Sequence, residues 1–323
     1  MRDHSAGLVS IGPATVHRRR RALELVFGDV EPALRRRQID AILASDRPSC
    51  SLEGLFEARR GDLAAGAVWT VIHPGRHATV WPPRLAAGQS PDTARQLLAA
   101  ALAFLGGCLV RLVQAVLPRD TGDDVRLLTE AGFTHVADLL HLVSRADRFP
   151  DSPPAAHLVF EPVRPVDFDR LGRLLEATYA QTLDCPALNG LRETRDVLDG
   201  YRATGSFDPN RWFIVRDDHF AGDVAAGQPG DAGCLLLTDH PEAGHWELMY
   251  MGLVPAARGR DWGLDMVRHA QWLARQAGRQ RLVLAVDAAN APALAAYAAA
   301  GFMAWDRRSA FLKVLPRSPT TAH

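Results

Sequence analysis

The stretch VPAARGRDWG, residues 254–263, holds the residues best suited to chemistry on an anion. It joins an apolar run, WELMYMGLV, to a helical pattern, GLDMVRHAQWLARQA. In that pattern Leu264, Val267, Ala270, Leu273, Ala274 and Ala277 recur at spacings of three and four, which marks one buried helix face. Residues 259–263 therefore approach a helix N-terminus directly after a strand. Several backbone N–H groups lack helical acceptors there, and the helix dipole favours a negative guest. Gly259 and Gly263 let the chain bend tightly and let a ligand come close to the backbone. Arg258 and Arg260 add positive charge, and Asp261 stands between them and Trp262 with the opposite sign. By itself an Arg/Gly turn reads as an ordinary strand-to-helix joint, with its glycines there for tightness. It is neither a Walker A loop nor a dinucleotide-binding GxGxxG.

The elements that must position this turn are legible as alternating strands and helices. In the first half, 23–44 reads as a helix, 65–74 and 77–85 as strands between Gly and Pro breakers, and 92–106 as a helix closed by glycine. A buried strand over 108–118, a short helix over 123–133 and a strand beginning at Thr134 come next. The charged, Pro-rich segment 145–156 reads as a linker, which divides the chain into domains 1–150 and 157–316. Beyond it come a strand (157–165), helices (167–183 and 192–205) and the three strand-like runs RWFIVRD, GCLLLTD and HWELMYMGLV. A long helix (263–277), the strand RLVLAVD, a short helix and a last strand complete the order. The fold class predicted is α/β, a mixed sheet with flanking helices.

The two halves echo one another. RLVQAV at 111–116 recurs as RLVLAV at 281–286, and Gly132-Phe133 and Gly301-Phe302 close the short helix after each. Agreement in sequence, spacing and order of elements points to a duplicated unit.

Composition narrows the function classes. With 37 Lys+Arg against 37 Asp+Glu, no net charge calls for a nucleic-acid partner. The arginine runs at 18–21 and 35–37 read as solvated helix faces. Cys50, Cys108, Cys185 and Cys234 lie far apart without a CxxC pair, which speaks against a disulfide framework or a metal cluster. No apolar run approaches the roughly 20 residues needed to cross a bilayer, and the first residues lack a signal-peptide pattern. The expected setting is cytoplasmic, without membrane or nucleic-acid partners.

Together with a second block at residues 290–302, the 254–263 stretch resembles the GNAT superfamily of acyl-CoA-dependent N-acyltransferases. The family's central motif, a valine and proline followed by R/Q-x-x-G-x-G/A opening a long helix, reads here Val254, Pro255, Arg258, Gly259, Arg260, Asp261, Trp262, Gly263. Its second block reads Asn290, Ala293, Tyr297, Gly301, Phe302. The motifs cover 210–315 closely, and with the preceding helices the resemblance extends over 158–315. It implies two tandem units, with the amides of 259–263 holding the pyrophosphate of acetyl-CoA or another acyl-CoA. Asp261 departs from the pattern, in the place of the first glycine of the G-x-G pair. Its carboxylate is expected to cap the helix, turn away, or pair with Arg258 or Arg260.

The resemblance also assigns roles. Tyr297 is in the family's place for the general acid, which protonates the leaving sulfur or simply hydrogen-bonds to it. Glu247, on the strand leading to the turn, is in the place of a base that deprotonates the amine, directly or through water. Strand alternation would put it on one face with His245, Met249 and Met251. A backbone N–H near Met251 or Leu253 is expected to meet the oxyanion where the strand pair splays, and Asn290 is either a cap or a cofactor contact. Acceptor residues are expected in loops such as 184–191 and 221–233. The first half has WPPRLAAGQSPDT where the cradle should be, and Leu128 in the place of Tyr297, so it reads as a degenerate copy. The expected function is transfer of an acetyl or other acyl group to an amine of a small molecule or peptide by direct attack. The alternative is a non-enzymatic acyl-CoA sensor or scaffold, and a homodimer is left open.

Overall fold

The structure, a computed structural model, describes residues 9–118, 122–154, 157–221 and 228–316. Packing divides the chain into unit 1, residues 1–135 with 310–323, and unit 2, residues 136–309. Each unit is a mixed sheet with helices against it.

Unit 1 begins with β1 (Ser10–Pro13), α1 (Arg19–Val26) and α2 (Pro32–Leu43). The single helix expected over 23–44 is thus two. Pro32 has no N–H and suits the first position of a new helix, where Glu31 accepts the amides of Ala33 at 3.0 Å and Leu34 at 2.9 Å. Then come β2 (Leu55–Arg60), β3 (Leu63–His73), β4 (His77–Leu85), α3 (Pro91–Gly106), β5 (Leu112–Pro118) and α4 (Gly122–Glu130). Strands β1 to β4 pair antiparallel in sequence order, and β5 joins β4 in parallel. Strands β1 and β2 carry too weak an alternation to be read from sequence.

The next strand, β6 (Thr134–Arg145), runs on into unit 2. After it come β7 (Val159–Pro162), α5 (Phe168–Tyr179), α6 (Thr194–Arg202), β8 (Trp212–Arg216), β9 (Asp231–His240) and β10 (His245–Leu253). The chain closes with α7 (Trp262–Gln276), β11 (Arg281–Asp287), α8 (Ala291–Ala299) and β12 (Met303–Val314). Within unit 2 the order is β6-β11-β10-β9-β8-β7. The unit boundary therefore differs from the division drawn at 145–156. β6 pairs antiparallel with β11 from Arg145↔Arg281 to Leu139↔Asp287, and of the described residues 310–316 pack in unit 1. Pairing, a long-range interaction, sets the boundary that local composition placed at the Pro-rich segment. Residues 155–156 of that segment lie outside the described residues.

The repeated sequence has a repeated geometry. Gly132 and Gly301 both take left-handed conformations, with φ of +83° and +78°. In each unit the phenylalanine amide then reaches back over the helix end, Phe133 to the carbonyl of Leu128 at 2.9 Å and Phe302 to that of Tyr297 at 3.0 Å. A glycine is needed at both turns because a Cβ is disfavoured at positive φ.

Candidate functional site

The site begins with an irregularity in β10. Its pairing with β9 shifts register between Leu248 and Tyr250, so Met249 is an extra residue, a β-bulge. The expected shared face of His245, Glu247, Met249 and Met251 is broken there. Glu247 lies opposite Thr238 and Met251 opposite Leu235, residues on opposite faces of β9. Beyond the bulge Tyr250 and Gly252 share the face of Glu247. On its other side β10 pairs with β11 only from His245↔Arg281 to Glu247↔Val283. The two strands part after Glu247.

That parting leaves backbone groups open. The amide of Val254 donates to the carbonyl of Ala232 at 2.9 Å, toward β9. By strand alternation Gly252 and Tyr250 also face β9, whereas the amides of Met251 and Leu253 face the side that β11 has left. A cavity of about 590 Å³ lies here, lined by the end of β10, the start of α7, one side of α8 and residues Gln181 to Asp184 after α5.

At the mouth of α7 the amides of Gly259, Arg260, Asp261, Trp262 and Gly263 have no hydrogen-bond partner among the described residues. The carbonyl of Asp261 starts the helix instead, accepting from Leu264 at 3.0 Å. Asp261 itself is left-handed, φ +58°, a conformation glycine adopts freely and Asp or Asn tolerates better than most residues. Its side chain makes no cap hydrogen bond and has no ion-pair partner among the described residues, so of the expected outcomes the carboxylate turns outward. A Cβ on Gly263 would meet nothing within 4 Å, because that position faces the cavity.

The two arginines of the turn do different things. Arg258 is consumed by backbone: its guanidinium donates to the carbonyls of Leu253 at 3.2 Å, Gln181 at 3.1 Å, Thr178 at 2.9 Å and Ala180 at 2.9 Å. It ties the end of β10 to the C-terminus of α5, where unpaired carbonyls favour a cation. Arg260 is exposed and lies over the rings of Phe220 and Trp262, 5.6 and 5.2 Å from their centroids.

Tyr297 is not among the residues lining the cavity; it is 5 % exposed and packs its ring against Phe302. Burial, with a smaller contribution from the charge of Asp184, holds its phenol well above the usual tyrosine range. Its hydroxyl has no hydrogen-bond partner among the described residues. Asn290 borders the cavity and caps α8, its Oδ1 accepting from Ala293 at 3.3 Å. Glu247 is not in the cavity lining; its carboxylate accepts from His240 Nε2 at 2.8 Å. Asp184 does line the cavity, and nothing in its sequence surroundings singled it out beyond its place in the 184–191 loop. Of the other expected acceptor loop, residues 222–227 lie outside the described residues.

Unit 1 handles the same joint differently. Between β4 and α3, Ala86 donates to Ala65 at 2.9 Å, Gln89 to Ala86 at 3.4 Å, and Ser90 Oγ takes the amide of Asp92 at 3.3 Å. Pro91 has no N–H to offer. Bonded Gln89 and Pro91 interrupt the amides left without a partner among the described residues, those of Ala87, Gly88 and Ser90, so no unbroken run of five such donors forms as it does in unit 2.

Comparison with known proteins falls on this region. Residues 179–302 match the acetyltransferase (GNAT) family. Over the whole chain the arrangement is similar to a GCN5-related N-acetyltransferase from Sphaerobacter thermophilus, at a TM-score of 0.60 and 16 % identity, covering 96 % of each chain. The chain has the GNAT fold. A GCN5-related glucosamine N-acetyltransferase region in a fungal multi-domain β-N-acetylglucosaminidase is similar at a TM-score of 0.61 and 16 % identity, over 95 % of this chain and 38 % of that one. No curated protein matches the sequence. The GNAT match spans the cavity, the α7 mouth and Tyr297, and among the described residues no helix is long and apolar enough to cross a membrane.

Proposed function

We propose that unit 2 is an acyl-CoA-dependent N-acyltransferase, which transfers an acetyl or related acyl group to an amine of a small molecule or peptide by direct attack. The observation that carries this reading is the run of unpartnered amides from Gly259 to Gly263, opening on a cavity between parted strands. The residues fit an acyl-CoA. The amides would hold its pyrophosphate, Gly263 offers no side chain to obstruct it, and Arg260 supplies positive charge beside it. When bound, acetyl-CoA supplies an acyl group already activated as a thioester.

The chain's own groups do the rest. The amides of Met251 and Leu253 are fixed donors for developing negative charge on the acyl oxygen, and fixed dipoles need no reorganisation as the charge forms. Tyr297 keeps its proton across the neutral range because burial disfavours the phenolate, so Oη remains a hydrogen-bond donor toward the leaving sulfur as charge develops there. Unit 1, where the amides of Ala86, Gln89 and Asp92 have acceptors and Pro91 has no N–H, is a degenerate copy that binds no acyl-CoA.

Calorimetric titration with acetyl-CoA tests the reading. Micromolar binding, about 8 kcal/mol, is expected, and Gly263→Val should abolish it while the protein still folds. No heat up to millimolar acetyl-CoA would sink the proposal. Tight binding without turnover of any amine in a broad screen would favour the second reading, an acyl-CoA sensor, for which the unpaired carboxylate of Asp261 at the cradle is the supporting observation.

A further inference from the structure

Two acidic residues, Asp184 and Asp261, stand around the cavity, and Asp261, whose exposed carboxylate turns outward, belongs to the amide cradle at the mouth of α7. Asp184 sits on the loop after α5, and its surroundings are built with unusual care. Gln181 and Cys185 flank it in left-handed conformations, φ +55° and +45°, which residues other than glycine keep only when their neighbours over-determine them. The neighbours are identifiable. The amide of Thr182 donates to Tyr179 at 3.1 Å, and that of Asp184 to Thr182 Oγ1 at 3.1 Å. The amide of Cys185 donates to Asp287 Oδ2 at 3.2 Å, and in return the amide of Asp287 donates to Asp184 Oδ1 at 3.0 Å.

The two carboxylates in this exchange differ. Asp287 is 4 % exposed and commits both oxygens to backbone amides, Oδ1 to Ala289 at 2.9 Å and Oδ2 to Cys185. It is a structural clasp between β11 and the loop. Asp184 commits only Oδ1. Its Oδ2 has no hydrogen-bond partner among the described residues, and the side chain remains open to the cavity. Surrounding protein pushes the Asp184 carboxyl up, the charge of Asp287 adds to this, and the bond from the Asp287 amide opposes it. The other titratable groups that feel Asp184 are Tyr297 on α8, Tyr201 on α6 and Cys185 on its own loop. No cation is among them.

We propose that Asp184 is the catalytic base of unit 2, its Oδ2 receiving the proton of the acceptor amine. This rests on the acyltransferase reading above. As the amine nitrogen bonds to the thioester carbonyl carbon, its N–H proton passes to Asp184 Oδ2. As the C–S bond breaks, the sulfur takes the electron pair, with the Tyr297 hydroxyl as hydrogen-bond donor toward it. The products are an amide and a free thiol, and solvent carries the proton from Asp184 to the thiolate. Glu247, whose carboxylate is held by His240, has no part in the step.

Asp184→Asn is the test, because the amide oxygen still accepts from the Asp287 N–H while the proton acceptor is lost. The variant is expected to bind acetyl-CoA in calorimetry with an affinity within about threefold of the parent. Its kcat toward amines should fall by about 100-fold or more, the scale of a lost general base, and the acidic limb of the pH profile should disappear. Independently of turnover, carbon-13 carboxyl NMR of the free protein should find Asp184 titrating above an ordinary aspartate. Parent protein that binds no acetyl-CoA would remove the acyltransferase reading and this assignment together. Intact binding and turnover in Asp184→Asn, or a loss confined to Glu247→Gln, would overturn the assignment alone. If Asp184→Asn does not fold, an ordinary Asp184 titration in the parent protein does so.

Discussion

His240 Nε2 and Glu247 Oε2 stand 2.8 Å apart on the paired strands β9 and β10. The bond favours the imidazolium and raises the His240 pKa, with burial opposing it and the charges of Glu247 and Asp239 adding to it. His245, stacked on His240 at 4.9 Å, moves the other way, lowered by burial first and by His240 second. A raised folded pKa means stabilisation that is fully present below the unfolded value of about 6.5 and is lost as pH rises through the folded pKa. The side chains are 26 % and 32 % exposed, so the pair contributes at most about 1 kcal/mol. Glu247→Gln should lower the His240 midpoint in ring-proton NMR; an unmoved midpoint would count against the bond.

His269 should make stability depend on pH in the opposite direction. Its ring stacks on Phe160 at 3.6 Å between centroids, and burial lowers its pKa to about 4. Between the unfolded value of ~6.5 and about 4 the unfolded chain binds the proton more readily, so stability falls as pH falls through that window. Thermal melts from pH 7 to pH 4 should flatten in His269→Phe relative to the parent. The same slope in both proteins would refute the assignment.

Asp261→Gly is expected to improve both folding and binding. Glycine adopts the φ of +58° without a Cβ penalty, a gain of up to about 1 kcal/mol. It also removes a carboxylate without a partner from beside the cradle, so acetyl-CoA should bind roughly tenfold more tightly at low salt, a difference of about 1.4 kcal/mol. Calorimetry at two salt concentrations checks this, since the gain should shrink as salt rises.

Arg258→Lys should behave as a disruptive change despite keeping the charge. A lysine ammonium cannot span the carbonyls of Leu253, Thr178, Ala180 and Gln181 that the guanidinium joins. A loss of about 1–3 kcal/mol is expected, the scale of buried acceptors left unpaired. Hydrogen exchange should quicken at Thr182 and Asp184 before it does in β9. A melting temperature equal to that of the parent would show that the arginine is not a staple.

The sequence by itself determined most of the helices and strands and the turn that opens α7, because hydrophobic period and Gly/Pro placement are local properties; the break between α1 and α2 was missed. It also determined the repeat, down to the matched turns at Gly132 and Gly301. Only the tertiary structure decided what the turn's residues face. Arg258 reads as a phosphate-side charge until the C-terminus of α5 is brought against it, and Glu247 shares a face with Met251 until a bulge at Met249 inverts the alternation. The unit boundary was beyond sequence reading for the same reason: β6 belongs with β11, some 140 residues downstream, by hydrogen bonding that no local pattern encodes. Asp184 is one polar residue in a polar loop until folding sets it against Asp287, 103 residues away, and leaves one carboxylate oxygen facing a cavity.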